Sequence, residues 1–156
     1  MKSSPSEASL DASSTVSLPH FSNYVAEHSA ASVAARHYLQ DAREALACTF
    51  APGDAIKPLL RQTSECVDQA LSLLWTEHLG ETSEAALIAV GGYGRGELFP
   101  QSDIDILILI ERTPDDTTAG QLERFVTSLW DIGLQIGHSV RTLDECKTLA
   151  AEDLTI

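Results

Sequence analysis

Apolar positions recur at helical spacing between residues 22 and 48, where Tyr24, Val25, Val33, Tyr38, Leu39, Ala42, Leu46 and Ala47 follow the repeat. This spacing predicts one amphipathic helix or two. After the break Ala51-Pro-Gly-Asp54, a second helix is expected over about 55–79. Its buried face is Ile56, Leu59, Leu60, Cys66, Val67, Ala70, Leu71, Leu74 and Trp75, with Asp54 as its cap and Pro58 tolerated in its first turn. The pattern then changes period. Ala85-Ala-Leu-Ile-Ala-Val90 reads as a strand, and the unbroken branched run Leu107 to Ile110, preceded by Ile104 and Ile106, reads as a central strand over 103–110 rather than a helix. The linker Thr113–Thr117 leads to a helix over about 118–130, with Leu122, Phe125, Val126 and Leu129 on one face. Gln135–Arg141 reads as a third strand, and Thr142-Leu-Asp-Glu145 fits a capping box that opens a last helix. The order β, short turn, β, helix, β, helix predicts an α/β (α+β) fold. Residues 1–20 form a Ser-, Pro- and Ala-rich tail expected to be disordered, 21–80 an N-terminal helical region, and 81–156 the sheet-bearing core.

The chemistry concentrates where the first two strands meet. Asp103 and Asp105 are two apart on a strand, so both carboxylates project to one side while Ile104 and Ile106 project to the other. Two like charges so close repel, and the pair becomes favourable when a hard cation such as Mg²⁺ or Mn²⁺ accepts their oxygens. Directly after the first strand, Gly91-Gly92 lets backbone amides approach a ligand, and phosphate oxygens are the natural guests. A glycine-rich turn beside paired carboxylates suits a metal-bound triphosphate. Arg95 and Ser102 are candidate phosphate contacts; an ion pair of Arg95 with Glu97 or Asp103, and a bend-stabilising hydroxyl at Ser102, are their structural alternatives.

A dinucleotide-binding βαβ unit is the nearest competing reading, since Gly91, Gly94 and Gly96 superficially fit a glycine fingerprint and Glu111 lies about 20 residues on. The spacing is G-x-x-G-x-G, however. Residues 93–102 are also too few for the crossover helix that parallel strands need.

The stretch Val90-Gly-Gly-Tyr-Gly-Arg-Gly-Glu-Leu-Phe-Pro-Gln-Ser-Asp-Ile-Asp105 resembles the nucleotidyltransferases of the DNA polymerase beta superfamily, and within them the PII uridylyltransferase family. These are bifunctional uridylyltransferase and uridylyl-removing enzymes. Leu129-Trp-Asp-Ile-Gly-Leu-Gln-Ile-Gly-His-Ser-Val-Arg-Thr142 is similar to the same family. The resemblance implies a polymerase-beta-like core, a small mixed sheet flanked by helices. It implies Gly91 and Gly92 as phosphate-binding residues and Asp103 and Asp105 as catalytic metal ligands. It further implies Mg²⁺ or Mn²⁺ as cofactor, UTP as substrate, and a tyrosine of the PII nitrogen-signalling protein as acceptor of UMP. It implies too that the chain is truncated at its C-terminus, since the family continues into helices that complete the nucleotide pocket, a metal-binding HD domain for uridylyl removal, and two glutamine-sensing ACT domains. The third carboxylate usual in the superfamily has no counterpart on 135–141; Asp131 would serve only if that strand began earlier. A small-molecule or antitoxin-type nucleotidyltransferase, or a non-catalytic nucleotide- or protein-binding module, are the alternative functions.

Composition narrows the partners. The 156 residues are 44% hydrophobic, enough for one core. A net charge of −13, with ten Lys and Arg that form no run, disfavours nucleic acid. Neither a membrane span nor a secretory leader is evident, so a cytoplasmic location is expected. Cys48, Cys66 and Cys146 are too widely spaced for a zinc motif and read as reduced thiols. His138-Ser139 has no oriented third member and reads as structural. Arg141 suits a phosphate contact or a strand end equally, and Tyr93 is expected to shape the glycine turn or stack at the pocket mouth.

Overall fold

The structure, a computed structural model, describes residues 17–49, 51, 53–80 and 84–153; the tail expected over 1–20 lies outside the described residues for positions 1–16. Among the described residues nine elements follow in order: α1 (Phe21–Glu27), α2 (Ala31–Thr49), α3 (Ile56–Leu79), β1 (Ala85–Ala89), α4 (Gly91–Gly94), β2 (Ile104–Ile110), α5 (Asp116–Asp131), β3 (Ile136–Thr142) and α6 (Leu143–Asp153). The helical repeat at 22–48 thus resolves into two helices. α1 is too short to be stable alone and is held by aromatic edges on α2: the Phe21 and Tyr24 rings lie 4.8 and 5.6 Å from that of Tyr38, and the Tyr24 hydroxyl donates to the Asp41 carboxylate.

The helix termini follow local chemistry. Asp115 caps α5 by accepting the Thr118 N–H at 2.8 Å. At α6 the expected capping box forms, with Glu145 accepting the Thr142 N–H at 2.7 Å and Thr142 Oγ1 accepting the Glu145 N–H at 3.3 Å. Asp54 does not cap α3. Ala55 occupies the cap position, and the Asp54 carboxylate accepts the Ala51 N–H at 2.8 Å, closing the turn before the helix.

The sheet has the order β1-β2-β3. β1 runs antiparallel to β2, with Leu87 opposite Ile108, and β2 runs parallel to β3, with Ile106 beside His138. An antiparallel first pair is what the short 93–102 linker permits, and it excludes the parallel βαβ of a dinucleotide fold. α5 supplies the crossover that the parallel pair requires.

Ile104, Ile106, Ile108 and Ile110 are buried on the helix side of β2 and share one core with Tyr38, Leu39, Leu74, Phe125 and Leu129. Trp75 of α3 meets Phe125 of α5 edge-on at 5.1 Å, which seats both helices over the sheet. Val25, Val33 and Ile56 fit the helical repeat yet stand exposed, each in a terminal turn of its helix rather than over the core. No helix among the described residues is long and apolar enough to cross a membrane, and Cys48, Cys66 and Cys146 are free thiols.

Candidate functional site

The turn after β1 is a single helical turn, α4, whose first closing bond runs from the Gly94 N–H to the Val90 C=O at 2.9 Å. Amides ahead of that bond, those of Gly91, Gly92 and Tyr93, have no intrahelical acceptor and carry the positive end of the turn. Gly91 has φ +60°, a conformation that suits glycine. Gly94 is required for space: a Cβ there would lie 2.6 Å from the Ala89 carbonyl oxygen.

β2 brings the carboxylates to this turn. The Val90 N–H donates to the Asp105 C=O at 3.0 Å, so the end of β1 is fastened to the start of β2. A Cβ on Gly91 would lie 3.0 Å from Asp105 Oδ2, which puts the carboxylate directly against the glycine turn. On the other side Asp105 is in register with Gly137 of β3. Asp103 is exposed one position before the strand begins, in phase with Asp105 by alternation. The structure therefore unites Gly91, Gly92 and Asp105, with Asp103 alongside. Their donors fit a hard divalent cation, because Mg²⁺ and Mn²⁺ accept oxygen ligands and Mg²⁺ is commonly held by one or two carboxylates plus substrate phosphate. Among the described residues no group of three or more His, Cys, Asp or Glu is arranged to hold a metal. Asp131 ends α5, where its carbonyl accepts from Arg36 Nη2 at 2.6 Å; β3 begins only at Ile136, so Asp131 is not carried onto the strand beside Asp105.

Arg95 is exposed and paired with Glu97, Nε to Oε2 at 3.0 Å, while its Nη2 would lie 3.9 Å from a Cβ on Gly92. The guanidinium thus flanks the glycine turn and keeps a weak, solvated partner. Ser102 ends a tight turn in which its N–H donates to the Phe99 C=O at 3.1 Å and Gln101 has φ +67°. With Ile104, Ser102 lines a cavity of about 530 Å³ bounded by Leu59, Val67 and Leu134, on the side away from the aspartates. His138 shares register with Ile106 and so lies on the helix-side face of the sheet, opposite Asp105. Arg141 shares the Asp105 face but is four residues past Gly137, about 13 Å along the strand.

Tyr93 does not stack at an open mouth. It is buried, and its hydroxyl donates to the Asp68 carboxylate on α3, pinning the glycine turn to the helical layer. Asp68 was not evident as part of the site from sequence, because it is an exposed residue of α3 beside the buried Val67 and only the packing of the glycine turn brings Tyr93 to it. Burial, then the bond to Asp68, hold the Tyr93 phenol well above its ordinary pKa of 10.0. A raised folded-state pKa means that the native state binds this proton more tightly. Its contribution is complete below pH 10 and is lost as pH rises above 10 towards the folded value. Tyr93→Phe is expected to cost about 1 kcal/mol at pH 7 and to reduce the loss of thermal stability between pH 10 and 12. Alkaline loss also comes from Tyr38, from Cys66, whose thiol burial pushes up, and from Tyr24, whose pKa is pushed up to about 12 chiefly by its bond to Asp41. Melting curves against pH for the two proteins provide the check.

Residues 74–140 match the nucleotidyltransferase domain family. The chain is 51% identical over 124 residues to the bifunctional uridylyltransferase/uridylyl-removing enzyme of Chromobacterium violaceum, covering 78% of this chain and 14% of that protein. It is 46% identical over 121 residues to the protein of the same name from Cupriavidus metallidurans, covering 78% and 14%. With the protein of that name from Pseudomonas putida it shares 48% over 116 residues, covering 74% and 13%. The chain thus spans about one seventh of the length of these curated relatives. No solved structure matches it.

Proposed function

Since residues 74–140 match the nucleotidyltransferase domain family, we propose that the chain holds the triphosphate and metal in an enzyme that transfers UMP from UTP to a tyrosine hydroxyl of the PII signalling protein, in the cytoplasm. The observation that carries this reading is the contact between the Asp105 carboxylate and the Gly91 turn, which joins an anion-binding surface to a cation-binding one. Identity to relatives named as uridylyltransferases supports the choice of nucleotide.

In this reading the amides of Gly91 and Gly92 receive the phosphate oxygens, and Arg95 exchanges its pairing with Glu97 for a phosphate. Asp103 and Asp105 hold Mg²⁺ or Mn²⁺, which when bound neutralises charge on the triphosphate and on the departing pyrophosphate. The chain's own residues orient the α-phosphorus for attack. The acceptor oxygen bonds to that phosphorus, the bridge to the β-phosphate breaks, pyrophosphate leaves, and the tyrosine proton passes to solvent. Ser102, which faces the cavity beside Ile104, is assigned to holding the turn that presents Asp103. Residues 81–156 are proposed as the catalytic core, with the helices of 21–80 as its support.

Calorimetric titration with UTP and with ATP, each with and without Mg²⁺, tests the reading on the protein and on the Asp103→Asn, Asp105→Asn double variant. The expected result is Mg²⁺-dependent binding that prefers UTP and disappears in the double variant. Binding that is indifferent to metal and to both substitutions overturns the assignment. Metal-dependent binding with no transfer to PII identifies a nucleotide-binding module instead.

A further inference from the structure

Asp105 sits on the central strand, with the end of β1 on one side and the start of β3 on the other. On the β3 side its register partner is Gly137, and on the β1 side Gly91 directly follows Val90, whose N–H donates to the Asp105 C=O. A Cβ at Gly91 would lie 3.0 Å from Oδ2 of the carboxylate, and a Cβ at Gly137 would overlap Oδ1. The two oxygens therefore each face a position with no side chain. Gly91 needs to be glycine partly for its backbone, at φ +60°. Gly137 has no such need, because it is outside the left-handed region and sits in regular parallel register with Asp105. Glycine inside a strand weakens it unless something must come close, and here the carboxylate does.

We propose that Gly137 is a positioning residue: it leaves open the half of a glycine-walled slot that holds the Asp105 carboxylate in the orientation required for a divalent cation. The proposal rests on Asp105 being a metal ligand, as read above. A methyl at 137 meets the far end of a short side chain rather than backbone, so the fold can accommodate it by rotating the carboxylate. On the other side the carboxylate faces Gly91, where an added Cβ would stand 3.0 Å from Oδ2. Gly137→Ala should thus leave the protein folded but turn the ligand away from its cation. Groups that orient a metal ligand typically contribute about 10- to 100-fold to metal affinity when disturbed.

The test is Mn²⁺ titration of the intact protein, followed by the electron paramagnetic resonance of the free ion, on wild type, Asp105→Asn and Gly137→Ala, with melting curves for each. The expected outcome is Mn²⁺ affinity lowered at least about tenfold by Gly137→Ala, towards that of Asp105→Asn, with cooperative melting retained. Equal affinity in wild type and a folded Gly137→Ala overturns the role of Gly137 while leaving the carboxylate reading intact. Equal affinity in wild type and Asp105→Asn removes the metal-ligand reading, and this proposal with it. Should Gly137→Ala fail to fold, the Asp105→Ala, Gly137→Ala double variant decides. Folding as well as Asp105→Ala alone shows that the methyl conflicted with the carboxylate, and failure to fold shows that the backbone rejected it and overturns the slot.

Discussion

If the proposed function holds, Asp105→Asn is expected to lower kcat/KM for uridylyl transfer by about a thousandfold, equivalent to about 4 kcal/mol of transition-state stabilisation, with little change in melting temperature. The side chain is exposed and isosteric with asparagine, so the substitution removes no buried contact. What it removes is the negative charge that, in the proposed function, lets Asp105 and Asp103 hold a hard cation. An amide oxygen binds such a cation more weakly, and the triphosphate then loses the charge neutralisation that distinguishes transition state from ground state. Transfer of radiolabelled UMP to PII, measured at several Mg²⁺ concentrations, gives the answer. Activity recovered fully at ordinary Mg²⁺ would show that Asp105 is not a ligand, whereas the assignment predicts at most partial rescue by excess metal.

Phe125→Ala is expected to produce the largest loss of stability, about 3–5 kcal/mol. Phe125 is fully buried, lies edge-on to Trp75 at 5.1 Å, and belongs to the cluster in which α3 and α5 meet the isoleucines of β2. Truncation leaves a cavity that rigid helices cannot close, and the edge-to-face contact goes with it. A domain of this size is stable by only about 5–15 kcal/mol, so the urea midpoint should fall by about a fifth or more. Trp130 offers the control: it is 54% exposed, and Trp130→Ala should cost no more than about 0.5 kcal/mol. Equal shifts for the two variants would contradict a core centred on Phe125.

Much of the architecture was legible because its signals are local. The branched run Leu107 to Ile110, with Ile104 and Ile106 before it, lies in β2, the capping pair Thr142 and Glu145 opens α6, and the ten residues between Gly92 and Asp103 predicted that β1 and β2 would not be parallel neighbours. Local reading failed where two local partners compete. Asp54 reads as a cap, yet its carboxylate closes the preceding turn on the Ala51 amide. Likewise the repeat through residues 22–48 does not announce that α1 folds back to place Phe21 and Tyr24 on Tyr38.

The sequence by itself determined that two carboxylates lie in phase at the start of a strand with a glycine turn ten residues before them, because alternation and backbone freedom are properties of the chain alone. Only the tertiary structure decided how that chemistry is held. Which strand flanks Asp105, and therefore that Gly137 faces its carboxylate, depends on a parallel register set by α5 across thirty residues of chain. That Tyr93 is tethered to Asp68 depends on how α3 lies over the sheet. Such contacts join residues whose separation along the chain carries no periodic signal, so packing specifies them and the pattern of residues does not.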